Sequence, residues 1–148
     1  MRPELPSRAR GVTGPELRRG TSPTPVHQSQ LAAAYTQCLD AAAAHPDVKS
    51  IAFVCLSTGL FGYPAADAAE LALRTVHAWQ TAHPGRLAVV FCTYLQSDLD
   101  IYRSLAPSIF TVVEDRLPAA PPSAKDDVIA ATTWLKDSDA ALVVAGAG

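Results

Sequence analysis

Apolar residues follow two rhythms along this chain, helical spacing and continuous short runs, and their alternation predicts helices set between buried strands. From His27 to His45, the positions Leu31, Tyr35, Cys38, Leu39 and Ala42 recur at three- and four-residue spacing and mark one face of an amphipathic helix. Pro46 and Asp47 end it, and Val48 to Leu56 follows as an apolar strand. Pro64 suits the first turn of the next helix, whose pattern of Ala68, Leu71, Leu73, Thr75, Val76 and Trp79 extends to Ala82. Pro84-Gly85 stops that helix, Leu87 to Tyr94 reads as a second buried strand, and Ser97 or Asp98 is placed to cap a short helix through Leu105. This order predicts an α/β fold, layered α/β/α, with a largely parallel or mixed sheet.

The pattern is weaker at the two ends. Residues 1–25 hold Pro3, Pro6, Pro15, Pro23 and Pro25, which rules out a helix and leaves an arm or a remnant strand. Residues 26–112 form the central unit. Residues 113–124, with Leu117 to Ser123 rich in proline, read as a stiff interdomain linker. The pattern restarts in 125–148: a short helix from Asp126 to Asp137 carries Val128, Ile129, Thr132 and Leu135, and an apolar strand from Ala140 to Ala145 leads into Gly146-Ala147-Gly148.

With 148 residues, 49% of them hydrophobic, the chain supports one domain with a real core and excludes two complete ones. A net charge of −2 argues against non-specific nucleic-acid binding, and the basic cluster Arg8, Arg10, Arg18 and Arg19 reads as a solvated tail. No apolar run approaches the length of a membrane span, and no signal-peptide pattern opens the chain. Cys38, Cys55 and Cys92 are odd in number and set in apolar surroundings, so they are read as small hydrophobes in a reducing, cytoplasmic setting.

The chemistry concentrates between the first strand and the second helix. There Ser57, Thr58, Gly59, Leu60, Phe61, Gly62 and Tyr63 form a small-residue turn where strand and helix leave backbone N–H groups without partners, an arrangement that suits an anion. Gly59 and Gly62 permit positive φ and close approach of a ligand, and Ser57 and Thr58 add hydroxyl donors. Phe61 and Tyr63 flank the turn with the flat apolar surfaces that a sugar or base needs and a bare phosphate does not, although core packing accounts for either ring as readily. Elsewhere the signal is structural. His27, His45, His77 and His83 are scattered and give no metal site. Asp67 and Glu70 favour the positive end of a helix dipole, and Asp98 fits helix initiation. No residue is assigned a catalytic role.

Several of these pieces, in this order, resemble the second half of a macrodomain, the α/β module that binds ADP-ribose and in some branches hydrolyses it from proteins. They are Gly14-Pro15, the helix from Leu31 through Tyr35 to Leu39, the Ser57-to-Pro64 loop, and the apolar strand ending near Tyr94. The resemblance implies that amides of Thr58, Gly59, Leu60, Phe61 and Gly62 hold the diphosphate and that Phe61 or Tyr63 packs on the distal ribose. It also implies an incomplete macrodomain, since the family's adenine-recognising acid and its Asn-containing loop have no counterpart before Gly11. The ending from Asp137 to Gly148 is similar to the opening strand and glycine turn of a sirtuin NAD-binding domain, with Gly146, Ala147 and Gly148 as a vestigial NAD turn. Taken together, the expectation is the middle of a macrodomain–sirtuin polypeptide that binds ADP-ribose or ADP-ribosylated protein. It requires no cofactor, and NAD belongs only to a longer sirtuin-containing form. The uncovered sheet edges are expected to favour self-association, which size-exclusion chromatography would show as dimers or aggregates.

Overall fold

The computed structural model describes residues 14–18, 20–110 and the strand 142–146. The order is α1 (Pro25–Ala43), β1 (Ser50–Val54), α2 (Ala65–Ala82), β2 (Ala88–Thr93), α3 (Gln96–Ile109) and β3 (Leu142–Gly146). The three strands form one parallel sheet in the order β1-β2-β3, with Phe53 opposite Phe91 and Phe91 opposite Val144.

Helix α1 starts at Pro25, earlier than its apolar spacing predicts, because Thr24 caps it. The His27 amide donates to Thr24 Oγ1 at 3.4 Å, and the Thr24 amide reaches back to His27 Nδ1 at 3.2 Å, so a histidine takes the part that Glu or Gln plays in the usual capping box. The helix ends at Ala43, short of His45. There the Arg86 guanidinium donates to the carbonyls of Ala43 (2.6 Å), His45 (2.7 Å) and Val48 (2.7 Å), placing a cation on the negative end of the helix and tying it to the turn before β2. Trp79 of α2 donates to Asp40 Oδ1 at 2.8 Å and fixes α2 against α1.

Helix α3 departs furthest from expectation. Neither Ser97 nor Asp98 caps it; the Leu95 carbonyl accepts from the Asp98 and Leu99 amides, both at 3.1 Å, which starts the helix at Gln96 and leaves both polar residues inside the first turn. It continues to Ile109 rather than Leu105, since Pro107 falls in the last turn and displaces little of the hydrogen-bond ladder.

One core holds the helices to the sheet. Leu31, Tyr35 and Leu39 of α1, Ala68, Ala72, Leu73, Val76 and Trp79 of α2, and Tyr102 of α3 join Phe53, Val89 and Phe91. The aromatic members interlock, with Tyr35 edge-on to Phe53 at 4.9 Å and Phe91 at 5.0 Å from Tyr102. Strand β2 is buried along Ala88 to Phe91, as its unbroken apolar run requires. On β1 only one face is covered, and Ala52 and Val54, together with Cys92 of β2, are exposed on the other.

Leu17, inside the stretch read as an arm, is buried and belongs to this core. The strand expected at Ala140–Ala145 runs from Leu142 to Gly146 and pairs with β2. The expected linker at 113–124, the helix from Asp126 to Asp137, and Ala147 and Gly148 of the glycine turn lie outside the described residues.

Candidate functional site

Strand β1 releases the chain at Val54 and α2 takes it up at Ala65, so the intervening loop sits at the C-terminal end of a parallel strand, before a helix N-terminus. Its shape is set by four hydrogen bonds. The Tyr63 amide donates to the Ser57 carbonyl at 2.9 Å and closes the loop at its base, and the Gly62 amide donates to the Gly59 carbonyl at 3.1 Å and closes its tip. Thr58 Oγ1 donates to the Cys55 carbonyl at 3.1 Å. The Leu17 amide donates to the Phe61 carbonyl at 2.7 Å and straps the loop from outside.

After these bonds are made, the amides of Thr58, Gly59, Leu60 and Phe61 have no acceptor among the described residues. The expected set of five donors is therefore reduced to four, because the Gly62 amide is engaged in the turn. The hydroxyl donors fall away as well: that of Thr58 is committed to Cys55, and that of Ser57 is buried with no hydrogen-bond partner among the described residues. Ser57 Oγ lies against Gly14, where a Cβ would overlap it. Positive φ occurs at Gly62 (+68°), as expected, but its partner is Ser57 (+65°) and not Gly59.

The two loop aromatics part company. Phe61 is 36% exposed and stays at the surface, whereas Tyr63 is 3% exposed and its ring joins the core with Leu17 and Ala68. The reason is the Tyr63-to-Ser57 bond, which turns the chain inward at that residue. Only Phe61 of the pair is thus available to a ligand. A third aromatic, which the sequence reading left within a strand, is Tyr94. It follows β2 directly, at the same end of the parallel pair as the loop, and is 81% exposed. The signal that could have found it is positional: residues just past the C-terminal ends of adjacent parallel strands meet at one edge.

The electrostatics come from backbone dipoles. Helix α2 has Pro64 at its N-cap with no side-chain cap, so its first-turn amides add to the positive potential, partly offset by Asp67 in that turn. Beneath the loop, burial pushes the Tyr35 and Tyr102 phenols well above their ordinary range, and burial followed by the charge of Asp98 pushes the Cys55 thiol up. A thiol so shifted stays protonated and is a poor nucleophile. Among the described residues, no group of three His, Cys, Asp or Glu side chains is placed to hold a metal. A shallow trough along Pro25, Val26, Ser29, Gln30 and Ala33 of α1 takes no residue from the loop.

The arrangement is matched by the family model for the Macro domain over residues 11–72. The chain is 40% identical, across 93% of its length, to a probable bifunctional ADP-ribose hydrolase/ADP-ribosyltransferase of Fusarium oxysporum f. sp. cubense. It is 36% identical across 61% of its length to an ADP-ribose glycohydrolase of Rattus norvegicus, and 38% identical across 62% to a protein-ADP-ribose hydrolase of Staphylococcus aureus. It spans only 24%, 35% and 34% of those three proteins. Among solved structures, a variant of the Oceanobacillus iheyensis macrodomain with ADPR superimposes at a TM-score of 0.57, with 26% identity over 67% of this chain and 50% of the other. Family model, relatives and solved structures agree, and the chain carries macro-domain sequence on a macrodomain-like α/β fold consistent with an incomplete macrodomain.

Proposed function

We propose that the chain binds ADP-ribose through the Ser57–Tyr63 loop, with the diphosphate on the amides of Thr58, Gly59, Leu60 and Phe61 and the distal ribose against Phe61. The observation that carries this reading is the run of four successive N–H groups without an acceptor among the described residues, at the mouth of a helix with no side-chain cap. Gly59, Leu60 and Phe61 are exposed, so their amides are open to water and to an incoming anion. The ADP-ribose hydrolases among the relatives and the solved macrodomain with ADPR support the choice of anion. Exposed Phe61 and Tyr94 at the same sheet end favour a nucleotide sugar over free phosphate.

Titration calorimetry with ADP-ribose, paired with amide chemical-shift mapping of the full chain, tests this. Saturable heat with shifts at Gly59 and Phe61 is expected. Heat without loop shifts, or no heat at all, would sink it.

Removal of ADP-ribose from modified proteins is the second reading, favoured by the hydrolase relatives; because the chain spans about a third of those hydrolases, it applies where the remaining macrodomain sequence is supplied. The isolated chain is expected to show no turnover, and measurable release of ADP-ribose from a modified protein would reverse that. The assignment of residues 125–148 to a sirtuin-type NAD-binding unit is carried in the same proposal.

A further inference from the structure

The short stretch ahead of α1 meets the loop at both ends of its donor run. Pro15 and Leu17 are buried while Glu16 and Arg18 are exposed, so the stretch is seated through alternate residues. At the far end of the run, the Leu17 amide donates to the Phe61 carbonyl at 2.7 Å, and the Leu17 carbonyl oxygen would stand 3.1 Å from a Cβ on Gly62. At the near end, Gly14 meets the side chain of Ser57: a Cβ on Gly14 would overlap Ser57 Oγ and stand 3.4 Å from Ser57 Cβ. Gly14 is not at positive φ, and Leu31 Cδ1, at 3.5 Å from such a Cβ, is at ordinary contact distance. The serine is therefore what keeps a side chain out of position 14.

Ser57 opens the donor run and is unfavourably placed on two counts. Its φ of +65° is a conformation that costs any residue with a Cβ and persists only where the surroundings impose it. Its Oγ is buried with no hydrogen-bond partner among the described residues. Restraint comes from two directions: the Ser57 carbonyl accepts from the amide of core-buried Tyr63 at 2.9 Å, and Gly14 bounds the Ser57 side chain. A methyl group on Gly14 could be admitted in three ways. The Ser57 backbone could turn, which rotates the Thr58 amide and those after it. The stretch could lift, which draws Leu17 off Phe61. Or Oγ could swing to another rotamer, leaving the amides in place, although a positive φ narrows that choice. Only the third spares the loop.

We propose that Gly14 is a positioning residue for the loop: by leaving room for the Ser57 side chain it holds Ser57 in its left-handed turn and, with Leu17 at the other end, aims the amides of Thr58, Gly59, Leu60 and Phe61. Its consequence for affinity rests on the ADP-ribose reading; its consequence for loop geometry does not. The test is a double-mutant cycle on the full chain. In Gly14→Ala, the amide resonances of Gly59, Leu60 and Phe61 should shift or broaden in the ligand-free protein while those of Val76 and Val89 in the core stay in place. The ADP-ribose Kd should weaken by about tenfold, the scale of one net hydrogen bond. Ser57→Gly removes both atoms that the new methyl would meet, so adding Gly14→Ala to it should move neither the loop amides nor Kd further. A purely structural role would lower Tm and leave the loop amides and Kd of Gly14→Ala unchanged, and that outcome overturns the proposal. So does an effect of Gly14→Ala that is equally large with and without Ser57→Gly, because it does not pass through the serine. If the unaltered protein gives no heat with ADP-ribose, the binding reading fails, yet the ligand-free spectra still decide this one: loop shifts that vanish in the Ser57→Gly background uphold it and their absence refutes it. Should Gly14→Ala not fold, Ser57→Gly alone decides it: without the braced side chain the amides of Leu60 and Phe61 should broaden, and unchanged resonances there refute it.

Discussion

Replacing each of two loop glycines by alanine separates what the fold requires from what a ligand requires. Gly62 sits at φ +68°, and a Cβ there would stand 3.1 Å from the Leu17 carbonyl oxygen. Left-handed backbone costs an L-residue about 1–2 kcal/mol, and easing the close contact would strain the neighbouring 2.7 Å bond from Leu17 to Phe61. Gly62→Ala should therefore lower stability by about 1–2 kcal/mol, which in a domain of this size is roughly 5–10 °C in Tm. Gly59 differs on both counts: its φ is not positive and no atom lies within 4 Å of a Cβ built there. Gly59→Ala should leave Tm within about 1–2 °C, since a surface change without a buried contact alters stability by less than about 0.5 kcal/mol. Its methyl group would project beside the open amides, so ADP-ribose binding should weaken while stability holds. Urea unfolding gives the stability difference and calorimetry the affinity difference. The reasoning fails if Gly62→Ala is as stable as the parent, or if Gly59→Ala unfolds early and binds normally.

Two further outcomes follow from the packing. Arg86→Ala removes three bonds to the carbonyls of Ala43, His45 and Val48 and should cost about 2–3 kcal/mol, the range for charge-assisted bonds, whereas Arg86→Lys keeps the charge but not the fork and should recover only part of it; paired chemical denaturation curves measure both. Stability should also fall in alkali. The phenols of Tyr35 and Tyr102 are displaced upward from 10.0, and the thiols of Cys38 and Cys55 from 9.0, chiefly by burial. Groups raised in the folded state bind protons more tightly there, so their contribution is complete below the unfolded values and declines as pH rises through the folded ones. Denaturation midpoints should be level from pH 7 to 8.5 and drop above about 9 to 10, and a drop that is unchanged in Tyr35→Phe and Tyr102→Phe would exclude the phenols as its source.

Much of this architecture was legible because local chemistry and burial agree. The unbroken run at Val89, Val90 and Phe91 announces a strand covered on both faces, and Leu31, Tyr35 and Leu39 lie where helical spacing puts them. What escaped was decided at a distance or by unusual substitutes. His27 stands where Glu or Gln is the recognised capping partner, so the true start of α1 was hidden. Arg86 reaches the end of α1 from a turn far along the chain, which no local window reports. At the loop, the sequence marked the turn between strand and helix but not its internal bonding: a hydrogen bond from Tyr63 to Ser57 decides that one aromatic ring is buried and the other is not, and the residue types alone left both open. Positive φ at Ser57 was missed for the same reason, since serine seldom adopts it without outside restraint.

The bond between Leu17 and Phe61 has a practical side. It makes a short, proline-flanked stretch near the front of the chain part of the loop's mounting, although that stretch contributes neither helix nor strand. A version trimmed to begin at α1 would keep every described helix and strand and still lose this bracket on the loop, so it would pass a test for folding and mislead a test for affinity. Expression boundaries and tags are therefore best placed ahead of Gly14.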